Sequence, residues 1–307
     1  MHHPTTASRF VSKPLGRTEK WPDWRHAASR LNTTLMFRII GAMTGITSTE
    51  VLAAFELRSR GAKRALVRRE WADAIGTALL DGVGCVPAEV AGRGALLRFP
   101  YERGWGLLRQ YRRGGALRHL LRDRYVLINR PLRELRIHAY LFQAGLPLPE
   151  PLGICWERRG LLLRGALATH EVEAVNLRPF LAQERADSDD VLRRAGALVR
   201  RMHDCGVFHA DLQLANILVG ESQLYLIDFD KARLSRPLTR LRRARNLLRL
   251  RRSLEKNGFA GGHFRAICEG YGMEDVPRWA DCLYRAKGWL SDRISGRETH
   301  HDDADER

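Results

Sequence analysis

The stretch VFHADLQLANILV (207–219) sets a histidine, an aspartate two places later and an asparagine five beyond that among apolar residues. Buried polar side chains cost free energy unless they are paired or put to use, so the cluster asks for a purpose. Downstream, LYLIDFDKA (224–232) places Asp228 at the end of another apolar run. The intervening ILVGESQLYLI (217–227) reads as two short strands around a turn at Gly220-Glu221. Such a hairpin brings Asp228 back beside Asn216.

Working outward, DSDDVLRRAGALVRRMHDCGV (187–207) opens with acidic caps and continues as a helix. RPLRELRIHAYLFQAGLPLPEPLG (130–153) carries Leu132, Leu135, Ile137, Leu141 and Phe142 at helical spacing. Gly145 ends that helix, and Pro147, Pro149 and Pro151 follow it. EVAGRGALLRFPYERGWGLLRQYRRGG (89–115) reads as a glycine-containing turn, a strand near 95–101, a turn at Arg103-Gly104 and a strand near 105–111. GLLLRGALA (160–168) reads as a further buried strand, and the region after 230 as helical. Strands with one helix, followed by a helical half, give an α+β order in two lobes. Residues 1–69 read as an extension of unknown role, either partly disordered or a start-site artefact, with translation beginning later at Met36 or Met43. The folded domain is expected over 70–295, with lobes at about 75–168 and 169–295. The acidic end, 296–307, reads as a disordered tail.

The chain has 52 Lys and Arg against 35 Asp and Glu, a net charge of +17. Only six of the basic residues are lysine. Arginine's planar fork suits phosphates and carboxylates, so anionic partners are expected, although solvated faces also accumulate such charge. No helix-turn-helix, zinc-finger or aromatic RNA-binding pattern accompanies it, which argues against a nucleic-acid binder. Five scattered cysteines without a C-x-x-C pair suggest neither a disulfide framework nor a zinc site. LMFRIIGAMTGITSTEVLAAF (35–55), interrupted by Arg38 and Glu50, is a poor membrane span, and its long polar leader is unlike a signal peptide.

The pattern H-x-D-L-x-x-x-N at His209, Asp211, Leu212 and Asn216 resembles the catalytic loop of protein-kinase-like enzymes. That resemblance makes Asp211 the residue that takes the acceptor hydroxyl's proton, and Asn216 and Asp228 the ligands of Mg²⁺ bound with ATP. His209 then braces the loop, and His203 is a packing residue at a helix end. Two departures stand out. Ala210 replaces the arginine through which protein kinases commonly read activation-loop phosphorylation, and Asp230 replaces the glycine of D-F-G. Asp230 is expected either to hold the following loop or to assist the metal. The third-strand lysine is missing from WGLLRQY (105–111) as well. Arg109 stands there instead, with Glu134 as its partner, unless Arg109 faces solvent. Gly92 and Gly94 are candidates for the phosphate-covering turn or for an ordinary hairpin connection, and the adenine is expected near 167–173.

More narrowly, LLRQYRRGGALRHLLRDRYV (107–126), HADLQLANILV, LIDFDKAR (226–233) and NLLRLRRSLEK (246–256) resemble the 3-deoxy-D-manno-octulosonic acid (Kdo) kinases of the lipopolysaccharide kinase family. The likeness runs in order over roughly 75–290. It implies a two-lobed protein-kinase-like fold and transfer of phosphate from ATP to the 4-hydroxyl of Kdo in Kdo-lipid A. It also implies peripheral placement at the cytoplasmic face of the bacterial inner membrane, with no obligate protein partner. Arg112 and Arg113 would then face nucleotide or acceptor, and Arg242, Arg243 and Arg245 the acceptor or the anionic membrane surface. Rival readings keep the fold and change the acceptor, to a heptose of the lipopolysaccharide core or a small molecule, or make the chain a pseudokinase scaffold.

Overall fold

The computed structural model describes residues 51–88, 96–111, 130–159, 162–259 and 261–274. The N-terminal lobe is a seven-stranded sheet built from β1 (Phe55–Arg60), β2 (Lys63–Arg68), β3 (Val86–Ala88), β4 (Leu96–Tyr101), β5 (Gly104–Gln110), β6 (Pro151–Arg159) and β7 (Leu162–His170). Its order is β1-β2-β6-β7-β5-β4-β3, and every neighbouring pair is antiparallel. Helix α1 (Ala72–Asp81) packs on one face with Trp71, Ile75 and Leu79 against Val67, Phe99, Leu108 and Ala166. Helix α2 (Arg130–Gln143) packs on the other with Leu132, Leu135 and Ala139 against Leu66, Ile154 and Leu167. Side chains alternate across a strand, so Leu108 belongs to the α1 face and Arg109 to the α2 face.

Two expectations need correction. Residues 51–69 are not an extension: β1 pairs with β2 from Phe55↔Arg68 to Arg60↔Lys63, and β2 pairs with β6 through Leu66↔Ile154. The boundary expected at 69 therefore falls inside the lobe, while residues 1–50 lie outside those described. The sequence hid these strands because β1 is an edge strand with mostly exposed side chains, and the second partner of β2, β6, is far along the chain. Among the described residues the lobe also holds two α-helices rather than one. Helix α1 ends at Gly82, whose φ of 75° is the left-handed conformation glycine adopts without penalty and whose N–H reaches the Ala78 carbonyl at 3.0 Å.

The C-terminal lobe begins with β8 (Ala174–Asn176) and the short α3 (Leu177–Leu181), followed by α4 (Ser188–Asp204), β9 (Val207–Phe208), β10 (Ile217–Gly220), β11 (Leu224–Leu226) and β12 (Arg233–Leu234). Helices α5 (Arg240–Lys256) and α6 (Gly261–Tyr271) complete its described part. The core gathers Leu192, Val199 and Met202 of α4 with Leu212, Ile217, Phe229, Leu247, Leu250 and Ile267. Helices α4 and α6 approach backbone to backbone at Gly196 and Gly270, where an added Cβ would meet the Ile267 and Arg193 carbonyl oxygens. That close approach delivers Tyr271 to His203, whose Nδ1 lies 2.8 Å from the Tyr271 hydroxyl.

Candidate active site

The hairpin β10–β11 pairs Ile217 with Leu226, and the Ile227 N–H extends the ladder to the Asn216 carbonyl at 3.1 Å. Asp228 therefore emerges beside Asn216, as the sequence spacing anticipates. The Asn216 amide nitrogen donates to the Asp211 carbonyl at 2.8 Å. This fixes the side chain's orientation, and among the described residues nothing donates to its amide oxygen. Asp228 holds φ at 67°, a conformation uncommon for a residue with a Cβ and a frequent mark of functional loops.

His209 locks the two segments together. Its Nε2–H donates to the Ile227 carbonyl at 3.0 Å, and its Nδ1 accepts the Asp211 N–H at 3.2 Å. Both contacts are satisfied by a neutral ring, and burial pushes the imidazole pKa down in agreement. The ring also packs on Phe229, 5.2 Å between centroids, and Phe229 meets His138 of α2 at 5.6 Å. His203, expected to be a packing residue, is buried and spans Tyr271 Oη at 2.8 Å and Asn246 Oδ1 at 3.0 Å.

Arg109 meets Glu134 as the sequence suggests, and it reaches farther. Its Nη2 donates to both Glu134 carboxylate oxygens at 2.6 and 2.7 Å, and its Nη1 donates to Asp228 Oδ1 at 2.7 Å. Tyr111 places its hydroxyl on Glu134 and its ring under the guanidinium. Burial alone would lower the Arg109 pKa, but the Glu134 and Asp228 carboxylates reverse that and raise it. Glu134 is fully buried, which pushes its carboxyl up to about 7 against the pull of Arg109. Leu96, the first described residue after 89–95, pairs with Arg109. Gly92 and Gly94 lie outside the described residues, as do Arg112 and Arg113. A cavity of about 790 Å³ is lined by Leu79, Cys85, Leu108 and Cys155 of the α1 face and extends to Tyr111.

Several site residues were not anticipated. Lys231 Nζ stands 3.8 Å from Asp211 Oδ2, the ion pair that carboxylate makes among the described residues. Asp230 receives Arg130 of α2, which spans both its oxygens, and Arg133 Nη2 donates to the Ala232 carbonyl at 3.0 Å. Asn246 binds both backbone groups of His209. No short-range pattern announces these pairs, because their partners lie far apart in sequence. One expected role is corrected. Arg243 does not project toward an acceptor or membrane: its guanidinium reaches Asp204 Oδ1 at 2.7 Å and the Leu238 carbonyl, His203 carbonyl and Tyr271 hydroxyl at 3.3 Å each. Arg245 is exposed and Arg242 is partly so.

A loop carrying Asp211 and Asn216, a hairpin returning Asp228, and a strand cation clasped by a buried helix carboxylate form the constellation of a protein-kinase-like phosphotransferase. Residues 84–271 match the lipopolysaccharide kinase (Kdo/WaaP) family. The chain belongs to that family. Among its relatives, a 3-deoxy-D-manno-octulosonic acid kinase of Xylella fastidiosa (strain M23) is 38% identical over 176 residues, 55% of this chain and 70% of the relative. Another, of Xanthomonas axonopodis pv. citri (strain 306), is 36% identical over 223 residues, 70% of this chain and 88% of that one. A solved structure of WaaP in complex with acyl carrier protein aligns with a TM-score of 0.45 at 18% identity, covering 73% of this chain and 90% of that one. As a lipopolysaccharide kinase, this chain is a phosphotransferase that uses ATP and acts on a hydroxyl acceptor. The family match spans the Arg109–Glu134 pair, the 209–216 loop and the Asp228 hairpin, and leaves β1, β2 and α1 outside it.

Proposed function

We propose that the chain phosphorylates the 4-hydroxyl of Kdo in Kdo-lipid A, using ATP and Mg²⁺, as a peripheral enzyme of the cytoplasmic face of the inner membrane. The observation that carries the reading is the convergence of Asp211, Asn216 and Asp228 where the 209–216 loop meets the end of β11, in a chain whose relatives bear the Kdo kinase name. Asp211, 43% exposed, is open to an acceptor. It takes the hydroxyl proton as that oxygen bonds to the γ-phosphorus and the bond to the β-phosphate oxygen breaks, leaving ADP.

The donor set fits Mg²⁺. Among the described residues there is no cluster of three or more His, Cys, Asp and Glu side chains suited to a metal, but Mg²⁺ bound with a nucleotide needs only one or two protein oxygens alongside phosphates and water. Asp228 and the Asn216 amide oxygen would supply them, and the ion would neutralise charge developing on the phosphates. Arg109 would turn from Asp228 toward the nucleotide phosphates while Glu134 retains it. Placement at the membrane is supported by the basic exposed side of α5, where Arg245, Arg249 and Arg252 stand near exposed Leu241. No described helix is long and apolar enough to span a bilayer.

The decisive experiment uses purified protein, γ-labelled ATP, Mg²⁺ and Kdo-lipid A, with lipid A lacking Kdo and the Asp211→Ala protein as controls. Label on the Kdo-bearing acceptor alone, dependent on Asp211, is the expected result. ATP binding without transfer would discard Kdo as the acceptor, and substantial turnover by Asp211→Ala would remove Asp211 as the base.

A further inference from the structure

The segment after Asp228 is tied to helix α2 at points that form a closed circuit. Arg109 of β5 joins Asp228 to Glu134 of α2. One helical turn before Glu134, Arg130 joins the same helix to Asp230, two residues after Asp228. Arg133, on the same turn, holds the Ala232 carbonyl. Asp228, Arg109, Glu134, the first turn of α2, Arg130 and Asp230 thus make a ring that closes through the backbone of 228–230. Residues three and four apart share a helix face, so Arg130, Arg133 and Glu134 address the loop together.

The two sides of the ring differ in what disturbs them. The Arg109–Asp228 contact uses a carboxylate that a bound cation would also claim. The Arg130–Asp230 contact does not, because Arg130 engages both Asp230 oxygens. Asp230 is only 13% exposed, and the forked two-bond geometry restricts both partners, unlike an ordinary solvated ion pair. Asp230 is also absent from the residues with positive φ, so this position does not use the conformational freedom of the glycine it replaces.

We propose that Arg130 and Asp230 are a positioning pair that holds α2 over the loop following Asp228, keeping Glu134 and Arg109 assembled at the nucleotide site without a phosphorylation signal. The ring is built from the chain's own side chains, and Ala210 offers no guanidinium through which a phosphorylated loop could act. The proposal rests on the kinase reading of the site but not on the identity of the acceptor. It also assigns Asp230 away from metal ligation.

The test measures Mg²⁺-dependent ADP binding by calorimetry for the whole chain and for Asp230→Asn, Arg130→Gln, the double variant and the charge-exchanged R130D/D230R protein. Thermal melting without nucleotide is followed alongside. Each single change is expected to weaken ADP binding about tenfold, with the double variant no worse than either single one, as for two residues acting through one contact. The charge exchange should recover part of the loss. A Mg²⁺ requirement raised by Asp230→Asn and not by Arg130→Gln would make Asp230 a metal ligand and overturn the proposal. So would additive losses, or lowered melting temperatures with unchanged ADP affinity. Wild-type protein that binds no ADP would overturn it together with the kinase reading, whereas ADP binding without transfer to Kdo-lipid A would remove only the acceptor.

Discussion

Asn246 of α5 grips His209 by both of its backbone groups: its Oδ1 accepts the His209 N–H at 3.0 Å, and its Nδ2 donates to the His209 carbonyl at 2.7 Å. Asn246 is fully buried and the same Oδ1 takes the His203 Nε2–H, so the arginine-rich helix anchors the 209–216 loop through a polar core. Replacing Asn246 with Leu leaves buried groups of His209 and His203 unpaired. The expected cost is about 2–4 kcal/mol, on the scale of two or more lost buried hydrogen bonds. Urea unfolding should show it as a lower midpoint with unchanged slope, accompanied by a fall in kcat. An unchanged midpoint would show that water or a shifted side chain replaces the grip.

Lys231 places a positive charge beside the proposed base, where negative charge passes from nucleotide to acceptor. Its side chain is 64% exposed, so the resting ion pair itself contributes little to stability. In the proposed reaction its effect is expected in the transition state. Lys231→Met is expected to lower kcat by roughly 10²-fold, the scale of losing one preorganised electrostatic donor, while leaving the KM for ATP within a few-fold. A rise in the acceptor KM with kcat unchanged would instead assign Lys231 to acceptor binding.

Two buried histidines set an acid limit on the fold. Burial, first among the causes, pushes His138 and His203 down to about 4. A base depressed from its ordinary 6.5 favours the folded state above that pH, and the contribution is lost as pH falls toward the folded value. Unfolding free energy should therefore decline between about pH 6.5 and 4, by up to about 3 kcal/mol per histidine. Chemical denaturation at a series of pH values reads this directly, and a stability that is flat across that window would contradict it.

Legibility in the sequence tracked the range of the interactions involved. The β10–β11 hairpin that returns Asp228, the stop of α2 at Gly145 and the amphipathic face of α4 all rest on local periodicity and turn chemistry. The Arg109–Glu134 pair is recoverable because β5 carries one cation and α2 one carboxylate. Strand β6, opening with proline and carrying mixed residues, was hidden by the prolines that precede it. The Arg130–Asp230 pair joins residues a hundred positions apart, so only tertiary structure sets it. In α5, arginines occupy both the buried and the solvent side, and composition could not separate Arg243, turned inward, from Arg245, turned outward.

Glu134 gives nucleotide handling a pH dependence of predictable sign. Burial raises its carboxyl from 4.5 to about 7. Protonated Glu134 is favoured in the fold, so its contribution to stability is complete below 4.5 and lost as pH rises through 7. The ion pair with Arg109 has the opposite dependence and is complete only above 7. ATP affinity should therefore improve from pH 6 to pH 8 with an inflection near 7. Glu134→Gln, compared at each pH so that titration of ATP itself cancels, should lack that inflection. Parallel profiles for the two proteins would remove Glu134 as its origin.

The inward and outward arginines of α5 should separate in two measurements. Arg243 contacts Asp204, Tyr271 and two backbone carbonyls, so Arg243→Ala is expected to cost about 1–3 kcal/mol of stability. It should leave vesicle binding little changed. Arg245, Arg249 and Arg252 follow one another at spacings of four and three and are exposed, which places them on one solvent face of the helix. Replacing all three with glutamine should leave the unfolding midpoint nearly unchanged. At roughly 1 kcal/mol per basic residue near an anionic surface, it should weaken co-sedimentation with phosphatidylglycerol vesicles by about a hundredfold at low salt. Salt should erase most of the difference, because exposed charges are screened within about 10 Å at 0.1 M. Equal binding by the triple variant and the unaltered protein would leave this face merely solvated, and the membrane contact would have to be sought elsewhere on the chain.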